Sequence, residues 1–158
     1  MSRVKDIQKR VQQELKESQD KGGCVKSAAH LHAVSAIAVM LAMKRGENAE
    51  LAAIAGLLHD LHAYVSGSYE NHAVLGARLA EKILKEMGIT TEDETRTVCT
   101  AIRNHDNKAK TDGSLDEILK DADVLHHCLG DPTKEVKEHE RDRYERLCGE
   151  LGLAKDGV

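Results

Sequence analysis

The sequence predicts an all-α fold, a compact bundle of about six or seven helices, and three observations carry that prediction. Apolar residues recur with a period close to 3.6 along nearly the whole chain. None of the 158 residues is Trp or Phe, three are Tyr and one is Pro. The core must then be Leu, Ala, Ile, Val and Met, a diet that suits packed helices, because strands draw on aromatic and β-branched side chains. Residues that start and stop helices punctuate the pattern throughout.

The elements follow in order. Val4, Ile7, Val11 and Leu15 mark one face of an opening helix, ended by the polar run Gln19, Asp20, Lys21 and the pair Gly22, Gly23. Ser27 is the expected cap of a second, strongly apolar helix that runs through Met43 and closes at Gly46. Asn48 caps a third, which carries Leu51, Ile54, Leu57 and Leu58 and reaches the neighbourhood of Tyr64 before the turn at Ser66, Gly67 and Ser68. A fourth holds Ala73, Leu79, Ile83 and Leu84 and stops at Gly88. Thr91 with Glu94, and Ser114 with Glu117, read as capping boxes that open helices carrying Val98 and Ile102, then Leu115, Ile118, Leu119, Ala122 and Leu125. Asp131 and Pro132 are the expected start of a charged last helix ending near Leu151. Neither a repeat nor a linker divides the chain, so residues 1–158 are read as one domain.

Composition narrows the partners. With 41% apolar and 32% charged residues and a formal charge of −4, the chain has no global attraction for nucleic acid or an anionic membrane, and no local basic patch stands out. A small molecule is the expected partner, with neither nucleic acid nor membrane. The first residues lack the apolar core of a signal peptide, and the longest mostly apolar run, Ala33 to Met43, is about half a bilayer span, which points to the cytosol. Cys24, Cys99, Cys128 and Cys148 form no CxxC pair and read as buried or incidental thiols.

Nine histidines carry the chemistry. His30 and His32 lie in the most apolar helix, His59 and Asp60 end the run Leu57, Leu58, His72 opens the fourth helix, His105 ends the fifth, and Asp121 and Asp123 sit in the sixth. A helical bundle can aim such side chains at one interior point. Carboxylates set in Leu and Ala runs need a partner, and Lys and Arg are expected to avoid these spots. A metal ion is the natural candidate. Imidazole with carboxylate suits a divalent transition ion, Fe, Mn, Co, Ni or Zn, better than Ca or Mg. Taken alone, each of these histidines is more often a hydrogen-bonded core residue than a ligand.

His30 with Val34 four residues on, then Leu57-Leu58-His59-Asp60, then Ala122-Asp123, resembles the H…HD…D signature of the HD-domain superfamily of metal-dependent phosphohydrolases. The resemblance covers about residues 24 to 130. It implies a helical fold in which His30, His59, Asp60 and Asp123 bind one divalent metal. Asn71-His72 with Gly76, and Ile102-Arg103-Asn104-His105, are similar to the two extra histidines of binuclear members, which implies a second ion at His72 and His105 with Asp60 bridging. Small hydrolases of the diadenosine tetraphosphatase type share this pattern. HD-GYP proteins do so only in part, because Asp106 stands where they have a second histidine and no Gly-Tyr-Pro occurs.

Within the site, His32 lies about 200° around the helix from His30, so only one faces the centre, and the Val34 offset favours His30. The flank likewise favours Asp123 over Asp121. His62 reads as a rim residue or a solvated one, and His126, His127 and His139 as surface or packing residues. Paired metals would activate a water to hydroxide and clamp the phosphoryl oxygens. Arg103, Lys108 and Lys110, near His105 in sequence, are candidates to line the phosphate pocket, and equally plain surface charges. Asp106 either hands a proton to the leaving group or caps a helix end. The expected activity is hydrolysis of a phosphate ester in a nucleotide or other small phosphorylated metabolite. Two rivals use the same residues: an HD-fold diiron oxygenase, and a non-catalytic nucleotide or metal sensor.

Overall fold

The computed structural model describes residues 2–18 and 24–153, which are helical with no strand among them. The expected turn at Gln19 to Gly23 lies outside the described residues. The helices are α1 (Arg3–Glu17), α2 (Cys24–Arg45), α3 (Ala49–Leu58), α4 (Leu61–Ser66), α5 (His72–Met87), α6 (Glu92–Asn104), α7 (Ser114–Gly130) and α8 (Glu138–Leu151). Seven are long and α4 is short. The extra element arises because the third helix of the sequence reading breaks at His59 and Asp60.

Each boundary has a local cause. The side chain of Asn48 accepts from the N–H groups of Glu50 and Leu51, and the Thr91 and Glu94 capping box is complete. Gly67 and Gly88 take left-handed conformations that end α4 and α5. Three expected caps fail. Ser27 is a buried residue inside α2. Ser114 is the first residue of α7, with Gly113 at the cap position. Glu117 instead accepts from the N–H of Asp112 and from Lys120 and Arg143, since tertiary partners are available to it. Asp131 closes a local turn on Thr133, and α8 begins only at Glu138.

The core holds α2 against α3 and α7, and α5 against α6. A Cβ on Gly56 would stand 2.6 Å from the Cα of Ser35, so any side chain there would push α3 off α2. Leu31, Val34, Ala38 and Leu41 of α2 are buried, whereas Val25, Met40 and Met43 are exposed. Helical structure continues well beyond the run from Ala33 to Met43: Val25–Arg45, 21 residues, is long and apolar enough to cross a membrane by length and composition. Its buried face is the one that packs on α3 and α7.

Asp121 corrects the expectation that basic residues avoid the buried acids. It is fully buried and accepts from Arg45 (2.6 Å), Arg143 (2.7 Å) and Arg146 (2.7 Å), tying α7 to α2 and α8. Such bidentate-capable guanidinium contacts are the strong form of ion pairing. Described Cys99, Cys128 and Cys148 are free and buried, and burial pushes the first two thiols up to about 11.

Candidate metal centre

Breaks in the helices aim the side chains. Asp60 takes the sparsely populated bridge conformation (φ −107°, ψ 6°) between α3 and α4, which turns its carboxylate inward. Asn71 adopts a left-handed conformation (φ 51°) directly before His72, and His105 caps the end of α6. A Cβ on Gly76 would lie 3.0 Å from the carbonyl oxygen of His59, so this glycine lets α5 approach the HD pair.

Three imidazoles are anchored in the same way. The Nδ1 atoms of His59, His72 and His105 lie 2.8, 2.9 and 2.7 Å from the carbonyl oxygens of Gly56, Tyr69 and Ile102, each three residues back. A carbonyl only accepts, so Nδ1 carries the proton and the Nε2 lone pair points into the cluster. His30 Nε2 and His59 Nε2 are 3.1 Å apart. Both lie 3.6 Å from Asp60 Oδ2 and 3.7 Å from Asp123 Oδ1. His72 Nε2 and His105 Nε2 lie 3.5 and 3.3 Å from the other oxygen, Asp60 Oδ1. Asp60 therefore divides its two oxygens between two pairs of histidines.

The donors fit a metal. Nitrogen and oxygen ligands sit about 2.1 Å from a transition ion, so neighbouring donors on one ion are about 3.0 to 3.5 Å apart, close to the spacings here. Asp60 Oδ1 and Asp123 Oδ1 are buried with no hydrogen-bond partner, and the donors of His30, His59 and Asp60, of His59, His105 and Asp123, and of Asp60, His72 and His105 lie within 4.8 Å of one another in each group. Protonation suits the same role at Asp60, Asp123, His30 and His105; at His59 burial opposes the charged form, but Asp60 and Asp123 outweigh it and raise the imidazole, so a metal there displaces a proton. Burial opposes ionisation of Asp60, but His59 and His105 outweigh it and hold the carboxyl well below the usual range. Burial likewise opposes ionisation of Asp123, and Lys108 and His59 hold it low. Burial, then His59, pushes His30 down to about 3, and burial lowers His105. Ionised carboxylate and neutral imidazole are the forms that bind metal.

The cluster opens into a cavity of about 320 Å³. Lys108 lines it, its side chain only 7% exposed, with Nζ donating to Asp123 Oδ2 (2.6 Å) and to the carbonyl of His105 (2.7 Å). Asp106 stands at the rim, 70% exposed and 3.9 Å from His72 Nε2. The other expected site residues lie elsewhere. Arg103 is on the outer face of α6, along a groove with Glu81, Lys85 and Cys99. Lys110 pairs with Asp112 on the surface (2.8 Å), because the chain after Lys108 turns away from the cavity. His62 sits on α4 with its Cβ beside Gly76 and is not part of the cavity wall, and His32 faces solvent.

Several residues of the cavity escaped the sequence reading. His127 and His139 line it with Tyr64, Tyr69, Lys137 and Glu140, and the His126 ring lies 4.6 Å from that of His30. The reading of His127 as surface or packing is corrected: its Nε2 is 3.4 Å from Asp123 Oδ1. The available signal was its position one helical turn after Asp123. Glu140 and Lys137 reach the site only because α8 folds back over α7.

The family model of the HD domain matches residues 27–128, and the chain belongs to that family. Among curated proteins it is similar to Ribonuclease Y of two strains of Staphylococcus epidermidis, 30% identical over 130 residues, 82% of this chain and 23% of the relative. The chain thus spans about a quarter of the length of those relatives. Its fold is similar to the crystal structure of a predicted HD superfamily hydrolase from an uncultured Thermotogales bacterium, with a TM-score of 0.58 and 24% identity, covering 94% of this chain and 88% of the other.

Proposed function

We propose that this protein is a metal-dependent phosphohydrolase that cleaves a phosphate ester of a nucleotide or other small phosphorylated metabolite. One observation carries the reading: the two oxygens of Asp60 face two separate pairs of imidazole Nε2 atoms at 3.3 to 3.6 Å. His30, His59, Asp60 and Asp123 hold one divalent transition ion, and His72 and His105, with Asp60 shared, hold a second. Ions bound there supply Lewis acidity toward a phosphoryl oxygen and lower the pKa of a bound water.

The remaining work falls to the chain. Lys108 has three N–H donors and spends two on Asp123 and His105, so the third is left for a phosphoryl oxygen in the cavity. Asp106 stands at the rim of the cavity beside His72, on the side open to a departing group. Arg103 and Lys110 have no part in this reading. The similarity to Ribonuclease Y favours a second substrate class, the phosphodiester of RNA.

The test is elemental analysis of the purified protein beside a turnover screen of mono-, di- and dinucleoside phosphates and short oligoribonucleotides with Mn, Fe(II), Co, Ni and Zn. Phosphate release with at least one metal is expected. Bound metal without turnover on any substrate would overturn the hydrolase in favour of a sensor. A stable mixed-valent iron signal in electron paramagnetic resonance would point instead to oxygen chemistry.

A further inference from the structure

Helix α8 lies beyond residues 27–128, the part of the chain that the family model matches, and one of its side chains holds the segment that carries Lys108. We propose that Arg143 is a positioning residue: from α8 it grips the backbone carbonyl of Lys108 and so keeps the lysine ammonium aimed into the cavity. The proposal rests on the reading that Lys108 meets a phosphoryl oxygen there.

Residues 106–113 join α6 to α7 without a helix of their own, so their shape depends on what holds their backbone. Two buried cations do so. Lys120 Nζ donates to the carbonyl of Lys110 (2.7 Å), and Arg143 Nη2 donates to the carbonyl of Lys108 (2.8 Å). Lys120 also bonds Asp112 and Glu117, which closes the far end of the segment onto α7. Lys108 is held at both of its own ends: the carbonyl by Arg143, and Nζ by Asp123 Oδ2 (2.6 Å) and the carbonyl of His105 (2.7 Å). A flexible four-carbon stem separates those ends, and a backbone left unheld would let Nζ drift from Asp123.

The guanidinium is turned for this contact. Its side chain is 9% exposed, Nη1 serves Glu117 (2.8 Å) and Asp121 (2.7 Å), Nη2 serves the Lys108 carbonyl, and Nε is buried without a hydrogen-bond partner. Arg143 thus forgoes the two-armed pair that Nε and one Nη would make with a single carboxylate, and spreads over two acids and a carbonyl instead. Helix α8 packs against α7 with Leu147 and Cys148 as its buried apolar side chains, and charge supplies the rest of its docking: Arg143 and Arg146 meet Asp121, and Glu150 meets Arg45. The competing account is that Arg143 only docks α8, with Lys108 aimed by Asp123 and His105 alone.

A double-variant cycle on the intact, metal-loaded protein separates the two, read by calorimetric binding of inorganic phosphate, with melting curves as the check on folding. Arg143→Met leaves Asp121 with Arg45 and Arg146, and Glu117 with Lys120, so neither acid loses its last cation. Lys108→Met is expected to weaken phosphate about 10-fold or more. Arg143→Met is expected to weaken it about 3- to 10-fold with metal stoichiometry unchanged. The double variant is expected to bind phosphate within about twofold of Lys108→Met alone, because Arg143 acts through that lysine. Unchanged phosphate affinity in folded Arg143→Met, or in Arg143→Lys should the first variant not fold, overturns the proposal, as do losses that multiply in the double variant. A wild type that holds metal but binds no phosphate overturns the functional reading and the proposal with it, and is told apart from multiplying losses because Lys108→Met then changes nothing.

Discussion

Asp121 and Asp123 lie two residues apart on α7, both buried, and they are answered in opposite ways. Asp121 meets Arg45, Arg143 and Arg146 at 2.6 to 2.7 Å, and its charge is matched within the fold. Asp123 meets one lysine on one oxygen, and its other oxygen faces imidazoles at 3.4 to 3.7 Å without a hydrogen bond. The first arrangement is finished without a ligand. The second leaves one buried oxygen without a hydrogen-bond partner. A buried acid in an apolar helix thus signals that some cation is needed, and only the neighbouring helices show whether the protein or the solvent supplies it. Arg143 connects the two regions, since it donates to Asp121 and also to the carbonyl of Lys108 (2.8 Å).

The sharpest break in this contrast is at Asp60, the shared carboxylate. Asp60→Ala is expected to abolish binding at both of the paired positions and lower turnover at least about 1000-fold, with the protein still folded. Retention of the full metal complement would refute the bridging role. Next comes Asp121→Asn, which removes the buried charge that three guanidinium groups share and leaves Arg45 only Glu150 and Arg143 only Glu117 as acidic partners. It is expected to cost about 3 to 5 kcal/mol, a fall in melting temperature of roughly 6 to 20 °C, while each folded molecule keeps its metal. Loss of metal with unchanged melting would reverse the assignments of the two aspartates.

Lys108→Met sharpens the comparison on the Asp123 side. Removing its ammonium is expected to lower turnover about 10- to 100-fold with metal stoichiometry preserved, and a rate equal to wild type would exclude Lys108 from phosphate binding. Acid provides a gentler probe of the arginine side. Burial opposes ionisation of Glu117, but Arg143 and Lys120 hold it below its ordinary 4.5, and Arg45 does the same for Glu150. A lowered folded-state pKa means that the stability these groups contribute is present above pH 4.5 and is lost as pH falls through their depressed values. Melting temperature is expected to fall with acid in that window, and less steeply in Arg143→Met. Equal slopes would show that Glu117 contributes nothing there. The smallest effect is expected at Arg103→Ala and Lys110→Ala, whose turnover stays within about twofold of wild type. A tenfold loss would bring either residue back into the phosphate pocket.

The helices and most of the candidate donors were legible in the sequence because both depend on short-range pattern. Ile7, Val11 and Leu15 face inward at helical spacing, and the HD pair and its flanks mark a site by residue order alone. What lies near a residue in sequence proved a poor guide to what lies near it in space. Arg103, two residues before His105, points to the outer face of α6. Lys108, three residues after it, returns to Asp123 because the chain turns at the end of the helix. Glu140 reaches His127 across 13 residues only through the docking of α8, which the Asp121 network secures.

By itself, then, the sequence determined that this chain forms helices, which faces they bury, and which histidines and aspartates are set in apolar surroundings, all consequences of a 3.6-residue period and of the cost of burying charge. Tertiary structure decided which of those polar groups meet a partner inside the protein and which are left facing one another around a shared centre. That choice depends on where helices break and cross, at Asp60, at Asn71 and at the close approaches of Gly56 and Gly76, and such contacts join residues that no local periodicity connects.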